Sequence, residues 1–144
     1  MNNSDKESAI HLLLVDDEKG ILQEYTEFFR KRNVDVKSTQ DSFKALDLLR
    51  EGNFDVVIVD LRMPKMDGIE LIQKIRKEGI DVEVIVLTGH GEKDEAVAAL
   101  NLDVNGWFDK ASIDMPELLK KVKELGEGIP ITEVRRILSA FPNK

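Results

Sequence analysis

Residues 10–18 read IHLLLVDDE and residues 55–68 read DVVIVDLRMPKMDG. Each is a short, nearly continuous aliphatic run that stops on acid: Asp16, Asp17 and Glu18 in the first, Asp60 in the second. A half-exposed strand alternates apolar and polar residues, whereas an unbroken run of this length suits a parallel strand covered on both faces. Three further runs follow the same plan: VDVKS at 34–38, VEVIVL at 82–87 and NGWF at 105–108. The first of these is half polar, as an edge strand is. Between the runs, apolar residues recur at helical spacing: Ile21, Leu22, Tyr25, Phe28 and Phe29; Phe43, Leu46 and Leu49; Ile69, Ile72 and Ile75; Val97 and Leu100; Leu118, Val122 and Leu125. Five strand–helix repeats predict an α/β fold, a (βα)5 doubly wound parallel sheet with helices on both faces. A closed parallel barrel needs eight repeats and is excluded.

The chain has 144 residues, enough for one core. Its 21 Lys and Arg against 28 Asp and Glu leave a net charge of −7, which opposes direct binding to a phosphate backbone. It has no cysteine, which excludes disulfides, thiolate metal sites and cysteine nucleophiles. No apolar run approaches the roughly 20 residues of a membrane span. The polar start MNNSDKESA has no signal-peptide core, so a cytoplasmic location is expected. Residues 1–9 are expected to be a flexible tail, 10–126 the folded domain, and 127–144 a linker with a short amphipathic helix. The break falls at Gly126-Glu127-Gly128-Ile129-Pro130, with Thr132 as a cap and Val134, Ile137, Leu138 and Phe141 along one side.

Ligands of open parallel sheets bind at the carboxyl ends of the strands. There the runs end in Asp16-Asp17-Glu18, Asp60, Thr88-Gly89-His90 and Asp109-Lys110. With the first, third and fourth runs adjacent, Asp16, Asp17 and Asp60 converge. Three carboxylates that close demand a compensating cation, either Lys110 or a divalent metal with oxygen ligands, for which Mg²⁺ is the natural choice. A single aspartate after a strand is usually a cap or loop residue, and a single lysine a solvated one. The coincidence of acids, hydroxyl and lysine at one end of the sheet is what points to chemistry.

The motifs LLLVDDE, VIVDLRMPKMDG, VIVLTGHG and the lysine of GWFDK resemble the receiver domain of bacterial two-component response regulators, the chemotaxis-regulator-like family. The resemblance runs from about Ile10 to Leu125. It implies a flavodoxin-like sheet of strand order 2-1-3-4-5. It also implies that Asp60 accepts a phosphoryl group, and that Asp17, Asp60 and the backbone carbonyl of Arg62 hold Mg²⁺, with Asp16 acting on it through a bound water. By the same resemblance Thr88 and Lys110 contact phosphoryl oxygens, and Trp107 occupies the switch-aromatic position. The implied partners are a sensor histidine kinase or phosphotransfer protein. A homodimer or effector contact is implied on the face of the fourth helical stretch, fifth strand and fifth helical stretch. Arg62 and His90 flank the site, where such residues tune phosphoryl lifetime.

The pattern departs from the family at residue 111, where Ala111 replaces the usual proline after the lysine. Asp109 beside Lys110 is also unusual, and is expected to pair with it before phosphorylation. Three other readings compete. A haloacid-dehalogenase-type phosphohydrolase needs a second acid where Arg62 stands. A flavodoxin needs a Ser/Thr/Gly phosphate loop where the chain has Asp16-Asp17-Glu18. A receiver-like docking module that takes no phosphate is favoured only by the Ala111 change.

Overall fold

The computed structural model describes residues 9–89 and 101–128, with 136, 139 and 140 near the C-terminal end. His90, the fourth helical stretch with Val97 and Leu100, nearly all of the N-terminal tail and the cap and apolar positions of the C-terminal segment lie outside the described residues.

Five strands are present: β1 (Ile10–Val15), β2 (Val34–Thr39), β3 (Val56–Asp60), β4 (Glu83–Thr88) and β5 (Gly106–Asp109). Among the described residues three helices join strands, α1 (Lys19–Arg30), α2 (Ser42–Arg50) and α3 (Gly68–Lys77), and a fourth, α4 (Met115–Glu127), follows β5. A single 3₁₀ turn, Lys110–Ser112, follows β5. The strands are all parallel, in the order β2-β1-β3-β4-β5. The two acid-tipped runs, β1 and β3, are therefore neighbours, and β2 lies at an edge.

The burial pattern follows the residue types. All five residues of β3 are buried. In β2, Val34 and Val36 are buried while Asp35 and Lys37 are exposed. Alternate side chains of each inner strand feed two half-cores. Leu13, Val15, Val57, Val59, Val84 and Val86 pack with α2 and α3. Leu12, Leu14, Ile58, Ile85 and Leu87 pack with α1 and α4, where Phe29 and Leu118 are fully buried. Each such side chain removed from water contributes about 1.5–3 kcal/mol before entropy is counted.

Polar residues set where the helices begin. Asp41 accepts the Phe43 N–H to cap α2, and Asp114 accepts the Glu117 N–H to cap α4. Asp67 and Glu70 form a reciprocal capping box at the start of α3. There Gly68 lies against β3: a Cβ on it would sit 2.4 Å from the Asp60 carbonyl oxygen. Its N–H donates to the Leu61 carbonyl at 3.0 Å, closing the loop that follows Asp60. The Arg76 guanidinium, at the other end of α3, donates to the carbonyls of Val82, Leu102 and Asp103, tying that helix to the approaches of β4 and β5.

Candidate functional site

The site is assembled by the strand ends. Asp16 directly follows β1 and is 1% exposed; Asp60 is the last residue of β3 and is 2% exposed. Strand β3 runs one residue further than the aliphatic pattern predicts, because Asp60 still pairs in register with Leu87. Its side chain is thereby fixed at the carboxyl end of the sheet rather than on a loop. Asp17, one residue past Asp16, is exposed. One carboxylate oxygen from each of Asp16, Asp17 and Asp60 lies within 4.8 Å of the other two.

Backbone donors hold the two buried acids. Asp16 Oδ1 accepts the Glu18 N–H at 2.8 Å, and Asp60 Oδ1 accepts the Arg62 N–H at 3.2 Å. The remaining oxygens face Lys110. Its Nζ lies 2.9 Å from Asp16 Oδ2, 3.4 Å from Asp60 Oδ2 and 3.6 Å from Glu18 Oε2. The ion pair with Asp16 Oδ2 is the shortest of the three and lies within charge-assisted hydrogen-bond distance. Glu18 is the contact that the reading of the sequence left without a role; its only signal was adjacency to the two aspartates.

The charges strain against their surroundings. Burial pushes the Asp60 carboxyl up from 3.8 to about 7, and the Asp16 charge pushes the same way against Lys110 and the Arg62 N–H. Burial also raises Asp16, against the Glu18 N–H and Lys110. Burial pulls Lys110 down, but Asp16, Asp60 and Glu18 outweigh it and hold the ammonium above its ordinary value. One ammonium thus faces three acids, Asp16, Asp60 and Glu18, with Asp17 beside them, an excess of negative charge of which the Asp16 and Asp60 share is buried. Clustered hard oxygens from three carboxylates, all within 4.8 Å of one another, fit a divalent cation such as Mg²⁺. Beside them an open cleft of about 470 Å³ is lined by Asp17, Glu18, Asp60, Arg62, Gly89 and Lys110, among others.

The adjoining strands supply the rest. Thr88 ends β4, and its Oγ1 donates to the Phe108 carbonyl at 3.4 Å, a long bond. Trp107, in β5, is half-buried and packs on the half-core of α2 and α3. Arg62 is exposed at the cleft. The expected Asp109–Lys110 pair is replaced by another arrangement: Lys110 turns to Asp16, Asp60 and Glu18, while Asp109 Oδ1 accepts the Ala111 N–H at 2.8 Å. The Lys110–Ala111 peptide bond is trans.

Comparison with known proteins agrees with this geometry. The family model described as the response regulator receiver domain matches residues 12–123. The response regulator MprA of Mycobacterium sp. (strain KMS) is 29% identical over 116 residues, covering 81% of this chain and 50% of that protein. The transcriptional regulatory protein GlrR of Escherichia coli (strain K12) is 34% identical over 126 residues, covering 87% of this chain and 28% of that protein. This chain therefore spans half or less of the length of these curated relatives. A solved receiver domain protein of Clostridium thermocellum superposes with a TM-score of 0.74 at 26% identity, covering 92% of this chain and 99% of that one.

Proposed function

The chain belongs to the response regulator receiver family, and from that premise we propose that it accepts a phosphoryl group on Asp60 from a histidine kinase or phosphotransfer protein and signals by a change of shape. The observation that carries this reading is the convergence of Asp16, Asp17, Asp60 and Lys110 at the open ends of β1, β3 and β5.

In the transfer, an Asp60 carboxylate oxygen forms a bond to phosphorus. The bond from phosphorus to the donor's imidazole nitrogen breaks, and the nitrogen keeps the electron pair. Such a transfer asks mainly for alignment and charge neutralisation. Asp60 is aligned by the Arg62 N–H and by its place in the sheet. Lys110, already beside Asp60, is placed to meet a phosphoryl oxygen. Asp16, Asp17, Asp60 and the Arg62 carbonyl would hold Mg²⁺, which when bound supplies further positive charge for the phosphoryl oxygens.

The product adds a charge of about −1.5 to −2 beside Thr88 and Lys110. Thr88 exchanges its long bond to the Phe108 carbonyl for a shorter one to a phosphoryl oxygen, and Trp107 turns into the space released. Moving such an equilibrium from mostly off to mostly on takes roughly 3–5 kcal/mol, which one or two charge-assisted hydrogen bonds and a more deeply buried indole supply. Arg62, at the cleft mouth, shields the acyl phosphate from water. Output passes to a second copy or an effector through the face that includes β5 and α4. No helix among the described residues is long and apolar enough to cross a membrane.

Incubation with acetyl phosphate and MgCl₂ tests the acceptor: one phosphoryl group is incorporated, and Asp60→Asn abolishes it. Beryllofluoride with MgCl₂, read by Trp107 fluorescence, tests the switch. An unchanged spectrum and no labelling would leave only the phosphate-independent docking module, although the reach of Lys110 past Ala111 already weighs against it.

A further inference from the structure

Where the family has proline after its lysine, this chain has alanine and so keeps a backbone N–H at the point where β5 turns away from the sheet. The first N–H groups of a helical turn have no partner within it. Here Asp109 supplies one. It ends β5 in an extended conformation (φ −85°, ψ 121°) and accepts the Ala111 N–H on its own Oδ1 at 2.8 Å. Lys110 lies inside the small ring that this bond closes. The bond therefore fixes the backbone from which the lysine side chain departs, and so the direction in which four flexible methylenes set out. From that base Nζ arrives 2.9 Å from Asp16 and 3.4 Å from Asp60. Asp109 also stands opposite Thr88 in the β4–β5 register, so the same residue secures the strand end beside the switch hydroxyl. One oxygen of its carboxylate is engaged by the turn, and the residue is exposed, with Lys110 directed to the other acids rather than to it.

We propose that Asp109 is a positioning residue for Lys110: with the Ala111 N–H it forms a side-chain clamp in the place of the family's proline. The proposal rests on the reading of Asp60 as phosphoryl acceptor, and its test separates the two. Loss of the clamp frees the ammonium from the carboxylates. Magnesium then competes with it less, while Asp60 loses an aligned partner during transfer. Those two effects have opposite signs, whereas a general loosening of the cleft weakens both functions together.

The experiment uses the full chain with Asp109→Ala and Asp109→Asn, folded state checked by urea titration. Calorimetric titration with MgCl₂ alone should show binding about threefold tighter in Asp109→Ala. Labelling by acetyl phosphate should be about tenfold slower. Asp109→Asn retains the acceptor oxygen and should match the parent in both. In a Lys110→Ala background, Asp109→Ala should change neither. The proposal is overturned if metal binding and labelling weaken together, if neither changes, if the asparagine variant behaves as the alanine one, or if the effect survives without Lys110. Should Asp109→Ala fail to fold, Asp109→Val, which has no acceptor and suits an extended strand end, is read against Asp109→Asn and Lys110→Ala in the same way. A parent chain that takes no label counts against the acceptor reading alone, and the metal titration still decides the clamp.

Discussion

Replacing Asp60 by asparagine should make the metal-free protein more stable at pH 8 and slightly less stable at pH 4. Asp60 is 2% exposed, and burial and the Asp16 charge hold its carboxyl up at about 7 against 3.8 for an unperturbed one. The folded state therefore binds the Asp60 proton more tightly than the unfolded chain does. The stability this contributes is present in full below about 3.8 and is lost as pH rises through about 7. At about 1.4 kcal/mol per pH unit, the interval sets a ceiling of about 4 kcal/mol on the loss. Asparagine has the same shape, stays neutral and retains an oxygen for the Arg62 N–H. It also turns an N–H group toward Lys110, at a cost of about 1–2 kcal/mol. The expected net gain is about 2 kcal/mol at pH 8, or roughly 8 °C in melting temperature for a domain of this size. Asp16, Glu18 and Lys110 face the same cleft and remain in both proteins, so the comparison isolates position 60. Urea unfolding followed by Trp107 fluorescence, from pH 4 to pH 8 in EDTA, measures the effect. Excess MgCl₂ at pH 8 should then stabilise the parent much more than the variant. If the two pH profiles run parallel, or Asp60→Asn is the less stable protein at pH 8 in EDTA, the account of the cleft as a store of unfavourable charge is wrong.

Other substitutions probe the scaffold and the chemistry. Gly68→Ala would place a methyl 2.4 Å from the Asp60 carbonyl oxygen and 2.7 Å from Leu61 Cα, backbone atoms that cannot step aside. It should cost about 3 kcal/mol in urea unfolding and slow acetyl phosphate labelling as well. Gly126→Ala meets the Ile10 side chain at 2.5 Å, so it should cost about 1–2 kcal/mol, part of it recovered in the double variant with Ile10→Ala. Arg76→Ala strips the donors from three carbonyls and should cost about 2–3 kcal/mol, with hydrogen exchange quickening first around Val82 and 102–105. Arg62→Ala should shorten the lifetime of the acyl phosphate several-fold; an unchanged decay of released phosphate would remove its shielding role.

The sheet was legible because aliphatic runs have no better place than between two layers of helix. The strand order was not written in those runs; it came with the motif resemblance, and the pairing of β1 with both β2 and β3 bears it out. Boundaries slipped by a residue where hydrophobicity and hydrogen bonding part company. Strand β3 is displaced from Asp55–Val59 to Val56–Asp60: Asp60 still pairs with Leu87, and at the other end the His11 N–H goes to the side chain of Asp55. The carboxylate cluster could be anticipated, since acids at the ends of adjacent strands must meet. The grip of Asp109 on Ala111 could not, because two neighbouring opposite charges favour the guess of a direct pair. The embrace of three carbonyls by Arg76 joins residues far apart in sequence and left no local trace at all.

Adjacent residues of β5 send Trp107 into one half-core and Phe108 into the other. The sheet between them is a partition, and a swing of the indole alone disturbs only the compartment of α2 and α3. A shift of the whole strand along its axis would reach both compartments at once. Local ring motion and strand sliding should therefore leave different footprints in methyl NMR spectra, one-sided and two-sided, and the footprint tells which of them carries the message outward.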